Sequence, residues 1–321
     1  MENLVEIKNL EVKYQTKKNL FGQMQDIFAV NGVSLDIKKG EILAIAGESG
    51  CGKSTLAKAI MKLVDSSSGE IFVNNKNILS VLNREELKAF YQKVQMIFQN
   101  PYSSLNPKMK IGEILREPLV INTSLTSEEI DKIVEEKIEK VGLDKNCLKL
   151  YPHEFSGGQR QRIAIARSLI LSPEFIIADE PVSALDVSIQ AQIINLLKQL
   201  KEDFNLTFLF ISHDLSVIKY LSDRIAIMYL GEIVEVGNTE EIFTDPKHPY
   251  TKALLSAVPE LVSENKKEKI QLTGELPSPE NLPTGCKFHT RCPYVMDKCK
   301  CDNPNTEEFT PTHNCKCFLY E

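Results

Sequence analysis

The sequence contains no long apolar run and no excess of basic residues. No stretch approaches the roughly 20 consecutive apolar residues that a helix needs to span a bilayer, and the opening MENLVEIKNL lacks the basic and apolar regions of a signal peptide. The 38 Lys and Arg residues are outnumbered by 44 Asp and Glu residues, giving a net charge of −6, which argues against a broad nucleic-acid-binding surface. We therefore expect a chain that is not exported, binds no nucleic acid and reaches a membrane only through partner proteins.

Cysteine is nearly absent until the end of the chain, since only Cys51 and Cys147 precede the C-terminal crowd. That crowd consists of Cys286, Cys292, Cys299, Cys301, Cys315 and Cys317. The uneven distribution predicts a separate C-terminal module beside the large domain that 321 residues, 42% of them hydrophobic, can form. Because an unexported chain meets reducing conditions, the crowd indicates metal ligation rather than a disulfide framework. Cys51 is interpreted as a small loop residue rather than a reactive thiol.

The order of apolar and amphipathic segments predicts an α/β fold. Apolar runs such as EILAIA, EFIIAD and LTFLFIS alternate with helical patterns such as IQAQIINLLKQL, which is typical of a largely parallel sheet with helices. Strand signals fade between about residues 100 and 167, where Thr126 and Glu129 can form a capping box, so we expect a helical insertion there. RIAIMYLGEIVEVG predicts two strands joined at Gly231. We place the main domain at residues 1–258, a polar linker at 259–284 and the cysteine-rich region at 285–321.

A glycine-rich loop follows the first of these apolar runs. The segment GESGCGKST comprises Gly47, Glu48, Ser49, Gly50, Cys51, Gly52, Lys53, Ser54 and Thr55. It fits the spacing GxxxxGK[ST] and stands between an apolar strand and the amphipathic helix KSTLAKAIMKLV. In such a loop the backbone N–H groups hold phosphates, the lysine reaches the β and γ groups and the hydroxyl binds Mg²⁺. The alternative, a plain glycine-rich turn, does not require Lys53 and Ser54 at these positions.

Two further segments carry residues suited to phosphate chemistry. FIIADE delivers Asp179 and Glu180 at the end of an apolar strand, where open parallel sheets place their ligands. Asp179 is suited to bind Mg²⁺, and Glu180 to orient or deprotonate an attacking water. FSGGQRQR places Ser156, Gly157, Gly158 and Gln159 before a helix, leaving N–H groups available to an anion. From the residues alone, a plain N-cap explains this last segment equally well.

The chain resembles ABC-type ATPases in the order of its motifs. That order includes the three segments above and also Gln99 in IFQNP, SALD at residues 183–186 and His213 in ISHDL. The chain also resembles the ATPase subunits of oligopeptide and dipeptide importers in NPYSSLNP, HPYTKALLSAVP and GCKFHTRCP. NPYSSLNP and KKNLFGQMQDIFAV are similar to the second of the two paired ATPases in that subfamily. The resemblance implies an ABC-type P-loop nucleotide-binding domain with a helical insertion and a small cysteine-rich, metal-binding tail.

The resemblance also implies a role for single residues. It implies a head-to-tail dimer with ATP between the phosphate loop of one subunit and the SGGQ segment of the other, with Asp186 near this interface. His213 would contact the γ-phosphate, and Gln99 would reach Mg²⁺ or the attacking water. Tyr14 would stack on adenine. Phe28 is the alternative, because the insertion at residues 17–27 allows two alignments of this segment with the family.

The tail spacing resembles the four-cysteine iron–sulfur pattern of the same importers. Five residues separate Cys286 from Cys292, six separate Cys292 from Cys299, and seventeen separate Cys299 from Cys317. Four thiolates suit a [4Fe–4S] cluster, with Zn²⁺ as the alternative, and unligated thiols as a further one. Cys301 and Cys315 depart from the pattern and compete for the ligand positions. We expect the metal to stabilise the fold of this short tail. Loss of the metal should leave ATP binding mostly unchanged.

The expected function is ATP hydrolysis that powers a di- or oligopeptide importer from the cytoplasmic face of the membrane. The expected partners are a second ABC ATPase, two transmembrane permease subunits and, indirectly, an extracytoplasmic peptide-binding protein. One alternative is an importer ATPase for nickel or another solute. Others are a soluble ABC ATPase of DNA repair or translation, and an interaction module with a vestigial ATPase. The presence of Lys53, Asp179, Glu180 and His213 argues against the last.

Overall fold

The computed structural model describes residues 2–17, 24–80, 82–100, 104–258, 270, 272 and 274–321. The chain divides into two compact units. The first unit comprises Met1–Leu79 and Ser212–Glu321, and the second comprises Ser80–Ile211. Among the helices of the described residues, none is both long enough and apolar enough to cross a membrane. Residues 18–23 of the predicted insertion, 101–103 of NPYSSLNP and 259–269 of the predicted linker lie outside the described residues.

The strands of the described residues, in chain order, have the following bounds. They are β1 (Asn3–Lys17), β2 (Met24–Lys38), β3 (Ile42–Ala46), β4 (Ser68–Val73), β5 (Lys76–Asn77), β6 (Val94–Ile97), β7 (Phe175–Asp179), β8 (Thr207–Ile211), β9 (Arg224–Tyr229), β10 (Glu232–Asn238), β11 (Thr306–Thr310) and β12 (His313–Lys316).

The α-helices of the described residues follow in the same way. They are α1 (Lys53–Ile60), α2 (Arg84–Lys93), α3 (Ile111–Asn122), α4 (Ser127–Lys140), α5 (Gly157–Leu169), α6 (Val187–Phe204), α7 (Leu215–Leu221), α8 (Thr239–Thr244), α9 (Pro249–Ser256) and α10 (Asp297–Cys301).

The first unit contains two groups of paired strands. β2, β1, β4 and β5 form an antiparallel sheet in that order. In the second group β3 pairs in parallel with β9, and β9 pairs antiparallel with β10. β3 and β9 are buried along their whole length, which explains why their sequences are continuous apolar runs rather than alternating ones. The predicted pair of strands about Gly231 is confirmed as β9 and β10.

The second unit combines a parallel three-strand segment with helices. β7 lies between β6 and β8 and pairs in parallel with both. Among the described residues from 98 to 174, helices occur but no strand, as the fading strand signal predicts. Helix α4 begins at the predicted capping box, because the Thr126 side chain accepts from the backbone N–H of Glu129 while the Glu129 side chain accepts from that of Thr126.

The cysteine-rich tail belongs to the first unit and is not the separate module that the cysteine distribution predicts. β12 pairs antiparallel with β10, with Glu235 opposite Cys315, and β11 pairs with β12. Phe288 is 1% exposed and packs against Tyr229 of β9 and Tyr250 of α9, with ring centroids 5.3 and 5.4 Å apart. The tail therefore extends a sheet and buries an aromatic side chain in an existing core. Strand pairing and packing hold it in place, and not only the metal that the sequence predicts.

Candidate functional site

The glycine-rich loop of the first unit encloses the side chain of Lys53. The loop leaves the buried strand β3 and ends where helix α1 begins, at Lys53 itself. The Lys53 ammonium group donates hydrogen bonds to the carbonyl oxygens of Gly47 and Glu48, at 2.7 and 2.8 Å, and the residue is only 5% exposed. A buried cation surrounded by backbone suits the binding of phosphate oxygens.

Gly52 gives the loop its shape at the start of helix α1. Its φ is +108°, which side-chain-bearing residues rarely adopt, and an added Cβ would lie 2.1 Å from the Ala29 carbonyl oxygen. No side-chain hydrogen bond caps the N-terminus of α1, and the positive end of a helix dipole favours an anion there. Burial raises the pKa of the Cys51 thiol in the same loop, in line with its interpretation as a structural residue.

Sequence reasoning missed the residues that hold Glu48, the second residue of the loop. Arg291, from the tail, donates from Nη1 to both carboxylate oxygens of Glu48, at 3.1 and 2.9 Å. The backbone N–H of Glu48 donates to the Tyr250 hydroxyl at 2.9 Å. HPYTKALLSAVP and GCKFHTRCP resemble segments of the importer ATPases, but nothing in the sequence connects them to the phosphate loop.

The HPY segment is arranged to present Tyr250. His248 caps helix α9 by accepting the Tyr250 N–H at its Nδ1, and burial lowers the pKa of His248 to about 4. The imidazole is therefore neutral at physiological pH and can accept this bond. Tyr250 is completely buried, and its ring lies 4.7 Å from that of Tyr229.

The other predicted site residues of the first unit are more exposed. Tyr14 lies on β1 opposite Ile27 of β2 and is 41% exposed. Its rival Phe28 is half-buried, and the Lys13 ammonium group lies 4.5 Å from its ring centroid. His213 is exposed and immediately precedes Asp214, which caps helix α7. The exposure of the Tyr14 ring is compatible with stacking on a base.

The second unit places two carboxylates at the end of β7. Asp179 is the last residue of the strand and is 5% exposed. Glu180 follows with a φ of +46°, which is uncommon for a residue with a side chain and characteristic of functional sites. The Gln99 amide donates to Glu180 Oε2 at 3.0 Å. The structure thus brings together Gln99 and Glu180, two residues whose shared site the sequence predicted.

The SGGQ segment begins helix α5 of the second unit. Ser156 caps the helix through a capping box, in which its hydroxyl accepts from the Gln159 N–H and the Gln159 side chain accepts from the Ser156 N–H. Ser156 and Gln159 are exposed, Gly157 is half-buried and Gly158 is buried. Gly158 must be small, because an added Cβ would lie 2.5 Å from Ile189 Cγ2. Asp186 is exposed at the start of α6 and makes no side-chain cap.

The metal expected in the tail has no formed site in the structure. Within the described residues, no group of three or more His, Cys, Asp or Glu side chains is arranged to hold a metal ion. Three of the four predicted ligands have raised pKa values. Burial raises the pKa of Cys286 to about 11, with nearby Cys299 and Cys317 adding to the rise. Burial also raises the pKa of Cys292 and of Cys317, again with contributions from Cys299.

The two competing cysteines lie in different surroundings. Cys301 is exposed at the end of α10. Cys315 is buried in β12, and burial together with the neighbouring Glu235 raises the pKa of its thiol.

Comparison with protein-family models matches residues 30–183 to the family described as ABC transporter. Residues 234–299 match the family described as oligopeptide/dipeptide transporter, C-terminal region. The chain is 50% identical over 310 residues to the dipeptide transport ATP-binding protein DppF of Haemophilus influenzae, covering 96% of this chain and 94% of that protein. It is 48% identical over 322 residues to the oligopeptide transport ATP-binding protein AppF of Bacillus subtilis, covering 99% and 98%.

Solved structures share the fold of the main domain. A dimeric, post-hydrolysis structure of the ATP-binding cassette MJ0796 bound to ADP and Pi is 31% identical with a TM-score of 0.65, covering 73% of this chain and 98% of that chain. The cbiO1 protein of Clostridium perfringens, part of the ABC transporter complex cbiONQ, is 27% identical with a TM-score of 0.66, covering 76% and 92%.

Proposed function

Because the chain belongs to the family of dipeptide and oligopeptide transport ATP-binding proteins, we propose that it hydrolyses ATP to power an ABC importer of di- and oligopeptides. The observation that carries this proposal is identity of about half over nearly the whole chain, tail included. The buried Lys53 in its loop and the Gln99–Glu180 pair supply the groups that ATP hydrolysis needs.

The predicted site residues have distinct roles in this hydrolysis. In the first unit, the N–H groups of the loop and Lys53 bind the phosphates, Ser54 binds Mg²⁺, His213 contacts the γ-phosphate and Tyr14 stacks on adenine. In the second unit, Asp179 binds Mg²⁺, and Glu180 takes a proton from the attacking water that Gln99 orients. The left-handed backbone of Glu180 supports its role, because this strain is a cost that a functional site explains.

The chain works in a dimer of ATPase subunits. Ser156, Gly157, Gly158 and Gln159 of one subunit close the nucleotide site on the phosphate loop of its partner, and Asp186 supports this interface. The exposure of Ser156 and Gln159 at a helix N-terminus supports this arrangement, as does the dimeric state named for the related cassette. The partner is a second, related ATPase, and the dimer drives two permease subunits from the cytoplasmic face, supplied by an extracytoplasmic peptide-binding protein.

Transport assays test the substrate. The chain, its partner ATPase, the two permeases and the binding protein reconstituted in vesicles should take up labelled dipeptides or oligopeptides with ATP, and Lys53→Ala should abolish uptake. Uptake of nickel without peptide would assign the complex to another solute. Copurification with nucleic acid instead of permeases would assign the chain to a different class of ABC ATPase.

In the tail, Cys286, Cys292, Cys299 and Cys317 bind a [4Fe–4S] cluster. Two facts support this proposal: four thiolates are the ligand set that such a cluster uses, and the backbone N–H of Cys286 donates to the carbonyl oxygen of Cys299 at 2.9 Å. Binding would require the thiols to lose their protons and to move into a common site.

Protein purified without oxygen should therefore be brown and contain iron and sulfide. Serine at any of the four positions should remove most of the colour, whereas Cys301→Ser, at the exposed cysteine, should keep it. Zinc without iron would contradict the cluster. Colour that survives Cys317→Ser but is lost in Cys315→Ser would move the fourth ligand.

A further inference from the structure

Glu48 of the phosphate loop contacts both the C-terminal tail and helix α9. Three contacts hold it: Arg291 binds its carboxylate, Tyr250 accepts its backbone N–H, and Lys53 donates to its carbonyl oxygen at 2.8 Å. The position of Glu48 therefore helps to set where the Lys53 ammonium group lies. Arg291 and Tyr250 reach Glu48 from 243 and 202 residues away, so both partners lie outside the contiguous loop motif.

We propose that Arg291 and Tyr250 are positioning residues for the phosphate loop, through which the folded state of the tail controls the affinity for ATP. This inference rests on the proposed role of residues 47–55 in binding the phosphates. It replaces the expectation that the tail leaves ATP binding mostly unchanged.

The physical basis is a rigid connection between tail and loop. The Arg291 side chain is 9% exposed and the Glu48 side chain 26%, so the ion pair is shielded from water and depends on both partners. Arg291 follows shortly after Phe288, which is buried against Tyr229 and Tyr250. A close-packed cluster of this kind transmits displacement rather than absorbing it. When the segment from Cys286 to Cys292 is in place, Arg291 restrains Glu48, and when it is released, Glu48 and the carbonyl bound by Lys53 gain freedom.

The test measures the dissociation constant of Mg-ATP for the full-length chain and its variants. Arg291→Met keeps the apolar stem and removes the charge, and we expect it to weaken ATP binding about tenfold, within the usual range for coupling between sites. Arg291→Lys keeps the charge and should restore part of the affinity. Tyr250→Phe, which removes the hydroxyl, should also weaken binding.

Lys300→Met is the matched control. Lys300 is also a tail cation beside a cysteine, but it pairs with Asp297 at the surface, so its loss should leave ATP affinity unchanged. If Arg291→Met fails to fold, Glu48→Gln tests the same ion pair from the loop side. If both variants fold, their effects on ATP affinity should not add in the double mutant, because they remove the same contact. In the assembled transporter, Arg291→Met should raise KM for ATP more than it lowers kcat.

The outcomes separate this inference from the proposed function. If Lys53→Ala abolishes ATP binding while Arg291→Met and Glu48→Gln bind as tightly as the natural chain, the inference is wrong and the phosphate loop stands. A lower melting temperature for Arg291→Met with unchanged ATP affinity below it also overturns the inference, since that is a purely structural effect. If Lys53→Ala leaves ATP binding intact, the proposed function itself fails.

Discussion

Glu180→Gln should stop ATP turnover while leaving ATP bound. Glu180 follows Asp179, the proposed Mg²⁺ ligand, and the Gln99 amide donates to its carboxylate at 3.0 Å, as expected for a base that acts on water. The substitution preserves shape and removes the base, so we expect kcat to fall by about 10²- to 10⁴-fold, the range for loss of general base catalysis. Loss of one negative charge near the phosphates should also let the ATP-bound dimer accumulate, which size-exclusion chromatography with ATP would detect.

Glu202→Gln provides the control for this experiment. Glu202 is an exposed carboxylate on helix α6 of the same unit, and its substitution should leave turnover unchanged. Near-normal hydrolysis by Glu180→Gln in the assembled transporter would remove Glu180 from the catalytic role.

Ser156→Ala should impair the nucleotide site of the partner subunit and not the site on this chain. Ser156 is exposed at the N-terminus of α5, where it can donate to a phosphate presented by another subunit. Losing one such group costs about 10²-fold in turnover in comparable sites. In a dimer with one altered subunit, hydrolysis at the partner's phosphate loop should fall by about this factor. Nucleotide binding at Lys53 of the altered chain should persist.

Thr126→Ala separates this effect from the loss of a helix cap. Thr126 caps α4 in the same unit through the same kind of capping box, so each substitution should cost about 1 kcal/mol of stability. Only Ser156→Ala should affect turnover. Loss of binding at the altered chain's own phosphate loop, with the partner site unaffected, would contradict the arrangement across subunits.

Much of the site could be predicted because its chemistry lies in contiguous residues. Strand β3, the glycine-rich loop and helix α1 follow one another along the chain, so their spacing alone defines the phosphate loop. The capping boxes at Thr126 and Ser156 are local for the same reason. The roles of Gln99 and His213 came from family resemblance, and the contact of Gln99 with Glu180, 81 residues away, required the structure.

The tail shows where sequence patterns were insufficient. Cysteine spacing predicted a separate metal-binding module, yet the tail adds β11 and β12 to strand β10 of the first unit. Among the described residues its thiols form no metal-binding group. The spacing of cysteines along the chain shows which thiols could be ligands. Whether the thiols meet at one point depends on how the backbone around each of them packs.

By itself, the sequence determined the α/β fold, the phosphate loop and the carboxylate pair after β7, because these depend on local periodicity and on motifs whose residues are neighbours. The family followed from the resemblance of those motifs to the motifs of known ATPases. Only the tertiary structure decided that Arg291 and Tyr250 hold Glu48. A hydrogen bond between residues more than 200 positions apart leaves no periodic signal in the chain. It exists because Phe288, Tyr229 and Tyr250 pack into one aromatic cluster and bring the tail to the loop.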